Sequence, residues 1–517
     1  MLWENTLNYS KKFGNHEVTA VAGFTSQKTR IRDQRAVGQD YPSDNIITLN
    51  NAAIKDADNT YDLLTQIGLN SVLGRVQYSF NNKYLVSVSL RGDESSFFAK
   101  GHKWGYFPAA SIGWVATQEK FLQEVAWLSN LKIRTSYGVS GNNRITEGSS
   151  LGAYPTVDLL YPSNYSLGPG GNSISQGFSP STAILANRDL TWERTFQFNA
   201  GIDMSLFKNL VSLSVDVYQS RTDQLLLQQN TQLFLGVPRA WNNIGKLQNR
   251  GVEFEATANP IRGKNFRWTV SGNIAHNRNK LLEFGLESRV LNLGERNEVY
   301  LNQIDFPVIQ YYAYKTNGVW LSQQEIADAQ AKGLTSQLTN VFVAGGLKLV
   351  DVNGDNVIDA NDRVTAGSPY PDFTYGVTNS FSYKGLDLSF TFQGSKGGQL
   401  INGDPNYNET RRINRNYLQN RWISPANPGD GKTPYNVNGF NWMLTDYVIE
   451  DASYMAIREL ILGYTIPAKI TSRLKLTNAR FYFSIQNLWY GFGNGYRGIN
   501  PEARFNSGPY TSPLIDG

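Results

Sequence analysis

Hydrophobic and polar positions alternate along most of this chain, most clearly between Phe373 and Gln393. Phe373, Tyr375, Val377, Phe381 and Tyr383 fall on one face of an extended strand, and Thr374, Gly376, Thr378, Ser380 and Ser382 on the other. Lys384-Gly385 reads as a two-residue turn in which Gly supplies positive φ cheaply. The return strand sets Leu388, Phe390 and Phe392 against Asp387, Ser389, Thr391 and Gln393. One face is apolar and aromatic, the other polar and small. That pattern fits either a sheet with one wet face over a core, or a membrane barrel with lipid outside and water inside.

The rhythm recurs. Residues 2–10 and 16–27 read as strands about the turn Phe13-Gly14-Asn15, followed by a polar stretch over 28–61. Val76, Tyr78 and Phe80 alternate with Arg75, Gln77 and Ser79, and Tyr84, Val86, Val88 and Leu90 answer them across Asn81-Asn82. Further strands are predicted over 104–116, 131–139, 195–207, 210–221, 251–258, 266–276, 447–467 and 479–489. A short amphipathic segment covers 118–128, and a turn falls at Pro260-Ile261-Arg262-Gly263. About fifteen strands of roughly ten to twelve residues result, against the roughly 9 to 11 that a tilted strand needs to cross a bilayer. Tight turns alternate with long Gly-, Ser-, Pro- and Asn-rich loops such as 141–188 and 397–446. A soluble sandwich has no reason to segregate loop lengths in this way, whereas outer-membrane barrels do. The expected fold is therefore all-β, an antiparallel transmembrane β-barrel with long extracellular loops, assigned to residues 1–517. Within it, residues 321–366 read as a loop insertion, with a short helix over 323–332 ending near Gly333. Residues 491–517 read as loop, and an odd strand count without a closing strand implies part of a larger barrel, because open edges in lipid are costly.

Composition narrows the function classes. Lys+Arg at 48 against Asp+Glu at 43 gives +5, with no basic run to track a phosphate backbone, so nucleic acid is not an expected partner. Aromatics at 13%, with 28 Tyr and 11 Trp, suit interfacial girdles or carbohydrate contacts. The absence of Cys removes disulfides and thiolate chemistry, and His16, His102 and His276 are too scattered for a metal cluster. No stretch approaches the roughly 20 apolar residues of a membrane helix, and the mean hydropathy is −0.38; neither argues against alternating barrel strands. Met1-Leu2-Trp3-Glu4-Asn5 is not a signal peptide, so either the protein is not exported or its start lies upstream. Glu253 and Glu255, two apart on a polar strand face, read as solvated side chains, and no catalytic grouping stands out, so no enzyme is expected. Arg91-Gly92-Asp93 spells an adhesion tripeptide, but Arg91 simply continues a polar strand face.

One constellation carries ligand chemistry. Asp351, Asn353, Asp355, Asp359 and Asp362 put oxygen side chains at loop positions 1, 3, 5, 9 and 12, with the Val357 carbonyl at 7 and Ile358 as an apolar anchor. Calcium takes hard oxygen ligands at this spacing, which makes a structural Ca2+ the expected occupant. Asn356 stands where Gly is usual and Asp362 where a bidentate Glu is usual. The alternative is a surface loop of Asx turns without an ion.

Five ordered segments carry a family resemblance: 69–122, 128–142, 351–398, 447–467, and 480–491 followed by Gly-Ile-Asn-Pro-Glu-Ala at 498–503. Over nearly the whole chain they resemble the C-terminal barrel of SusC/RagA-type TonB-dependent transporters. Asp93-Glu94-Ser95-Ser96 departs from the family's usual Asp-Gly-Ser-Ser. The resemblance implies an outer-membrane barrel of about 22 strands with an occluded lumen, in a Gram-negative bacterium. It implies uptake of oligosaccharides or peptides, as in polysaccharide utilisation, with a SusD-like lipoprotein over the mouth and the TonB complex supplying energy. The plug, the TonB-contacting part, the first strands and the final strand have no counterpart here, so these residues alone are expected not to perform gated transport. Tyr154, Tyr161, Tyr165, Trp241, Tyr311, Tyr312, Trp320 and Trp442 are candidates for stacking on sugar rings or peptide side chains, the alternative being girdle or loop packing. The runner-up reading is a calcium-stabilised cell-surface β-rich module for glycan binding or adhesion.

Overall fold

The computed structural model describes all residues except 47, 148–149, 152–153, 168–172, 181–183, 233, 235, 238, 286–287, 293–298, 403–418, 436–443, 499 and 503–517. Among the described residues the main sheet has fourteen strands, in chain order. They are β1 (Leu2–Phe13), β2 (His16–Gln39), β3 (Ile54–Phe80), β4 (Tyr84–Ser95), β5 (Trp104–Val115), β6 (Leu128–Asn142), β7 (Glu193–Leu206), β8 (Val211–Asp223), β9 (Lys246–Arg262), β10 (Phe266–Glu283), β11 (Phe373–Tyr383), β12 (Leu386–Lys396), β13 (Tyr454–Thr465) and β14 (Arg480–Phe492). The chain divides into two compact units: Met1–Ile112, Ser136–Phe196 and Thr222–Ile244 form the first, and Gly113–Thr135, Gln197–Arg221 and Gly245–Gly517 the second.

In the first unit β1 to β4 pair as antiparallel neighbours, and their registers resolve one face into rows. Successive rows are Trp3, Ser26, Asn70 and Glu94; Asn5, Phe24, Val72 and Gly92; Leu7, Ala22, Gly74 and Leu90; Tyr9, Ala20, Val76 and Val88; Lys11, Val18, Tyr78 and Val86; and Phe13, His16, Phe80 and Tyr84. The band from the Ser26 row to the His16 row is ten residues long, about 33 Å along the strand. At a barrel tilt near 40° that projects to about 25 Å, the height of an outer-membrane apolar band. At the Ser26 end the row turns polar, Ser26 Oγ donating to Asn70 Oδ1 at 2.8 Å and Asn70 Nδ2 to Glu94 Oε2 at 3.1 Å. The opposite face is mostly polar, interrupted by Val21, Leu73 and Leu85, with Arg91 Nε donating to Asp93 at 2.8 and 2.9 Å and Arg91 Nη2 to Ser71 Oγ at 3.1 Å.

Residues 28–61, read only as a polar stretch, extend the hairpin for much of their length. β2 has 24 residues and β3 has 27, far more than a bilayer crossing requires. Beyond the lipid both faces of a strand meet water, so nothing maintains the alternation by which a strand is recognised.

In the second unit the 373–393 hairpin forms as its pattern predicts. Tyr383 pairs with Leu386 across Lys384 (φ 46°) and Gly385 (φ 92°), the two positive angles of a tight hairpin turn. Trp268 stacks on Phe381 at 5.7 Å, Phe381 meets Phe390 at 6.1 Å, and Phe390 meets Phe392 at 5.5 Å, all on the apolar face. Asn379 shares that face and accepts the Trp268 indole N–H at 3.2 Å, which satisfies both polar groups where water is absent. The other face carries Thr378 against Thr391 at 2.9 Å and Ser380 against Ser389 at 3.2 Å.

Three local features were not anticipated. β9 continues through Pro260 to Arg262 instead of turning there; the register shifts between Ala258 and Ile261, and a bulge tolerates a residue without an N–H. In β13 the register against β12 slips by one residue at Arg458: Ile457 faces Phe392 while Glu459 faces Thr391. On the polar face of β6 to β8, Arg134 is shared by Asp203 (3.0 Å) and Asp216 (2.6 Å). Gly201 makes room for this cluster, since a Cβ there would stand 2.6 Å from Asp216 Oδ1 and 2.7 Å from the Arg134 guanidinium carbon.

If the two faces of β4 meet lipid and water respectively, Val88→Arg costs about 2–4 kcal/mol, whereas Ser87→Arg on the polar face stays within about 0.5 kcal/mol. Denaturant titration in bilayers, read by heat-modifiable gel migration, checks this; equal losses would show that both faces are wet.

Candidate functional site

The short connections are 14–15, 81–83, 207–210, 263–265 and 384–385, whereas 143–192, 224–245, 284–372 and 397–453 are long. A connection needing two residues for geometry has spare chain for recognition when it has fifty. The long segments are therefore the candidate site, and each unit gathers its own.

In the first unit Phe97, Phe98, Phe107, Ile145, Leu190, Trp192, Leu226 and Trp241 form a buried cluster. Polar pins fix its backbone: Trp192 Nε1 donates to Lys103 O at 2.9 Å, and Asn187 Nδ2 to Trp241 O at 2.8 Å. The Asp93-Glu94-Ser95-Ser96 corner anchors it, Ser95 being fully buried and its Oγ accepting Asn143 Nδ2 at 2.9 Å. Glu94, the departure from the family pattern, is absorbed by its bond from Asn70. Trp241 is thus core, 6% exposed, and offers no face for stacking. Tyr154 is 39% exposed and its hydroxyl accepts the Gln66 N–H at 3.0 Å, which leaves an aromatic face open. Tyr161 and Tyr165 lie on the strand Leu160–Leu167, with side chains outside the described residues.

In the second unit Trp320 is 1% exposed, donates Nε1–H to Val341 O at 3.0 Å, and carries the Lys348 ammonium 4.7 Å from its ring centroid. Tyr311 is buried, its hydroxyl donating to Gln399 O at 3.1 Å, and Tyr312 is half-buried against Val299, Ala313, Leu444 and Val448. Trp320 and Tyr311 hold the long connections together and do not present stacking faces, while Tyr312 packs on one side and stays partly exposed. Trp442 lies outside the described residues. The expected helix forms at Gln323–Ala331, before Gly333 at φ 98°. Ser322 caps it by accepting the Glu325 N–H at 3.2 Å, and Glu325 reaches back to the Leu321 N–H at 2.8 Å. Burial opposes ionisation of Glu325, but the Lys348 ammonium at 2.7 Å and the Leu321 N–H outweigh it and hold the carboxyl below its usual range.

The acidic loop follows. Asp351 accepts the N–H groups of Gly354 (2.7 Å) and Asn356 (2.8 Å), and Asn353 accepts that of Asp355 at 3.0 Å. Asp355 accepts that of Val357 at 2.8 Å, and Asp359 that of Asn361 at 2.7 Å. Asp362 is fully buried, with one oxygen on Val352 N–H at 2.8 Å and the other on Asp359 N–H at 2.9 Å. Asn356 takes φ 66°, as its place in the loop requires, and Val357 lies parallel to Thr335. Ile358 is buried beside Tyr314, Val341 and Leu349, as expected of an anchor. Among the described residues no three His, Cys, Asp or Glu side chains converge as a cation site requires. The loop's carboxylates are turned to its own backbone.

Two ion-pair centres escaped sequence reading. Glu450 is buried and receives Arg497 Nε at 2.7 Å and both-oxygen contacts from Asn402 Nδ2 at 3.1 and 3.0 Å. Arg458 reaches Glu502 at 2.6 Å, and Tyr454 donates its hydroxyl to the same carboxyl at 2.6 Å. They clasp Arg497 and Glu502 against chain more than forty positions earlier, a separation that no local pattern signals.

Comparison with known proteins places these features. The family of TonB dependent receptor-like beta-barrels matches residues 2–333. TonB-dependent receptor P39 of Formosa agariphila is 32% identical, over 96% of this chain and 50% of that protein. TonB-dependent receptor SusC of Bacteroides thetaiotaomicron is 28% identical, over 86% of this chain and 43% of its own. The RagAB peptide transporter structure superposes with a TM-score of 0.78 at 24% identity, covering 97% of this chain and 52% of that one, a likeness of fold. The chain spans about half the length of these relatives.

The Glu325 contribution is fully present above the unfolded carboxyl pKa, about 4.3, and is lost as pH falls through the lower folded value. Amide protection factors across Gln323–Ala331 should fall over that window in the native chain, and Glu325→Gln should flatten the profile. An unchanged profile in the variant would remove Glu325 as its source.

Proposed function

The chain belongs to the TonB dependent receptor-like β-barrel family of the outer membrane, and on that premise we propose that it forms wall and extracellular connections of a SusC/RagA-type importer. The reading is carried by 28% identity to SusC over 86% of this chain. The cargo is an oligosaccharide or a peptide, taken in by binding and translocation without covalent chemistry. A SusD-like surface lipoprotein covers the long connections, and the TonB complex energises release. Of the candidate stacking residues, Tyr154 keeps an open face and meets the cargo, while the buried Trp241, Tyr311 and Trp320 keep the connections in shape.

Uptake of fluorescent maltooligosaccharides and of fluorescent peptides by cells expressing the full-length protein tests this. One of the two should enter in a manner that stops on loss of TonB or of the lipoprotein. Liposomes carrying these 517 residues alone should show no energy-coupled import. Uptake indifferent to TonB, or import by the liposomes, would overturn the proposal.

A calcium ion at Asp351–Asp362 is a separate proposal. Asp351, Asn353, Asp355, Asp359 and Asp362 would each keep one lone pair for the ion while holding a backbone N–H with another, and the Val357 carbonyl would complete the set. Calcium titration of the full-length protein should then protect residues 347–365 from protease, and Asp351→Ala with Asp355→Ala should abolish that protection. Equal protease resistance in calcium and in chelator would instead assign the order to the Asx turns.

A further inference from the structure

The apolar face of β1 to β4 contains a shallow groove. Its floor is Ala20, Ala22 and Gly74, with Leu7 and Tyr9 on one side and Val76, Val88 and Leu90 on the other, and it holds about 440 Å³, open outward. A Cβ built on Gly74 meets no atom within 4 Å, so the space is open. The floor rows lie midway along the ten-residue band between the Ser26 row and the His16 row. From Ala22 to His16 the band runs six residues, about 20 Å along the strand and about 15 Å along the membrane normal. The whole apolar band is about 25 Å tall, so this is a little over half of it, about one leaflet.

At the His16 end the face changes character. His16 Nδ1 and the Tyr78 hydroxyl lie 2.7 Å apart, Phe13 stacks on His16 at 5.4 Å, and Phe80 stacks on Tyr84 at 6.4 Å. Lys83 sits 4.8 Å from the Tyr84 ring centroid, and Lys11 points from the same face one row earlier, in register with Val18. This end holds the tight turns 14–15 and 81–83, which in an outer-membrane barrel face the periplasm. An aromatic collar with two ammonium groups thus stands one leaflet's depth from a midplane groove.

We propose that this face holds one anionic glycerophospholipid of the periplasmic leaflet. One acyl chain fills the groove over Ala20, Ala22 and Gly74, and the headgroup lies at the aromatic collar, in the positive field of Lys11 and Lys83. The groove supplies the shape that a uniform wall of Leu and Val would lack, and the two lysines supply the charge that selects an anionic headgroup. The inference rests on membrane placement and not on the cargo, so failure of the import reading leaves it standing.

The full-length protein, purified in detergent and delipidated, is titrated with dioleoylphosphatidylglycerol and with its phosphatidylethanolamine counterpart and read by native mass spectrometry. One phosphatidylglycerol should remain bound. Ala22→Leu with Gly74→Leu, which fills the groove, should weaken retention about tenfold, the loss of roughly two buried methylenes. Lys11→Glu with Lys83→Glu should abolish the preference for phosphatidylglycerol. Val217→Leu, on the apolar face of β8, should change nothing, and heat-modifiable migration certifies that each variant is folded. Undiminished binding in the filled variant, an unchanged headgroup preference after charge reversal, equal loss in Val217→Leu, displacement by lipopolysaccharide, or a dimer seated through this face would each overturn the proposal.

Discussion

A backbone N–H or C=O left unpaired in hydrocarbon costs several kcal/mol, and no water is present to soften that cost. Every residue crossing the lipid must therefore sit in a ladder, and the ladder imposes a period of two on the side chains. The apolar aromatic face of the 373–393 hairpin, the polar Thr and Ser pairs behind it, and the Arg134 cluster on β6 to β8 all follow from that period. Even Asn379, a polar side chain on the apolar face, obeys the underlying rule by taking the Trp268 N–H.

Where the strands leave the lipid, the rule relaxes and different forces take over. β2 and β3 continue as a ladder with water on both faces, and the long connections gather around buried aromatics instead. Hydrogen bonds from indole and Asn side chains to loop carbonyls fix these gatherings, because chain without a ladder must satisfy its polar groups one at a time.

This difference sets what was legible in the sequence. The hairpin at Lys384-Gly385, the faces of β1 to β4 and the helix before Gly333 were readable because each rests on a local period or a turn residue. The Ser322 cap on the Glu325 N–H was equally local and could have been read. Loop aromatics have no period to say which face they turn, so Trp320 and Trp241 looked like Tyr154 until packing separated them. Glu450 with Arg497 joins distant segments, and nothing near either residue announces the other. The acidic loop is ambiguous for another reason: spacing that suits a cation also suits Asx turns, because both want oxygen on alternate residues.

The slip at Arg458 has a consequence for how β13 is encoded. Met455 and Ile457 lie on the apolar face below the slip in chain order, and Leu460, Leu462 and Tyr464 lie on it above. Odd positions serve the first half and even positions the second. The strand is thus written in two reading frames, and the single unpaired residue between them is the splice that keeps both in phase with lipid.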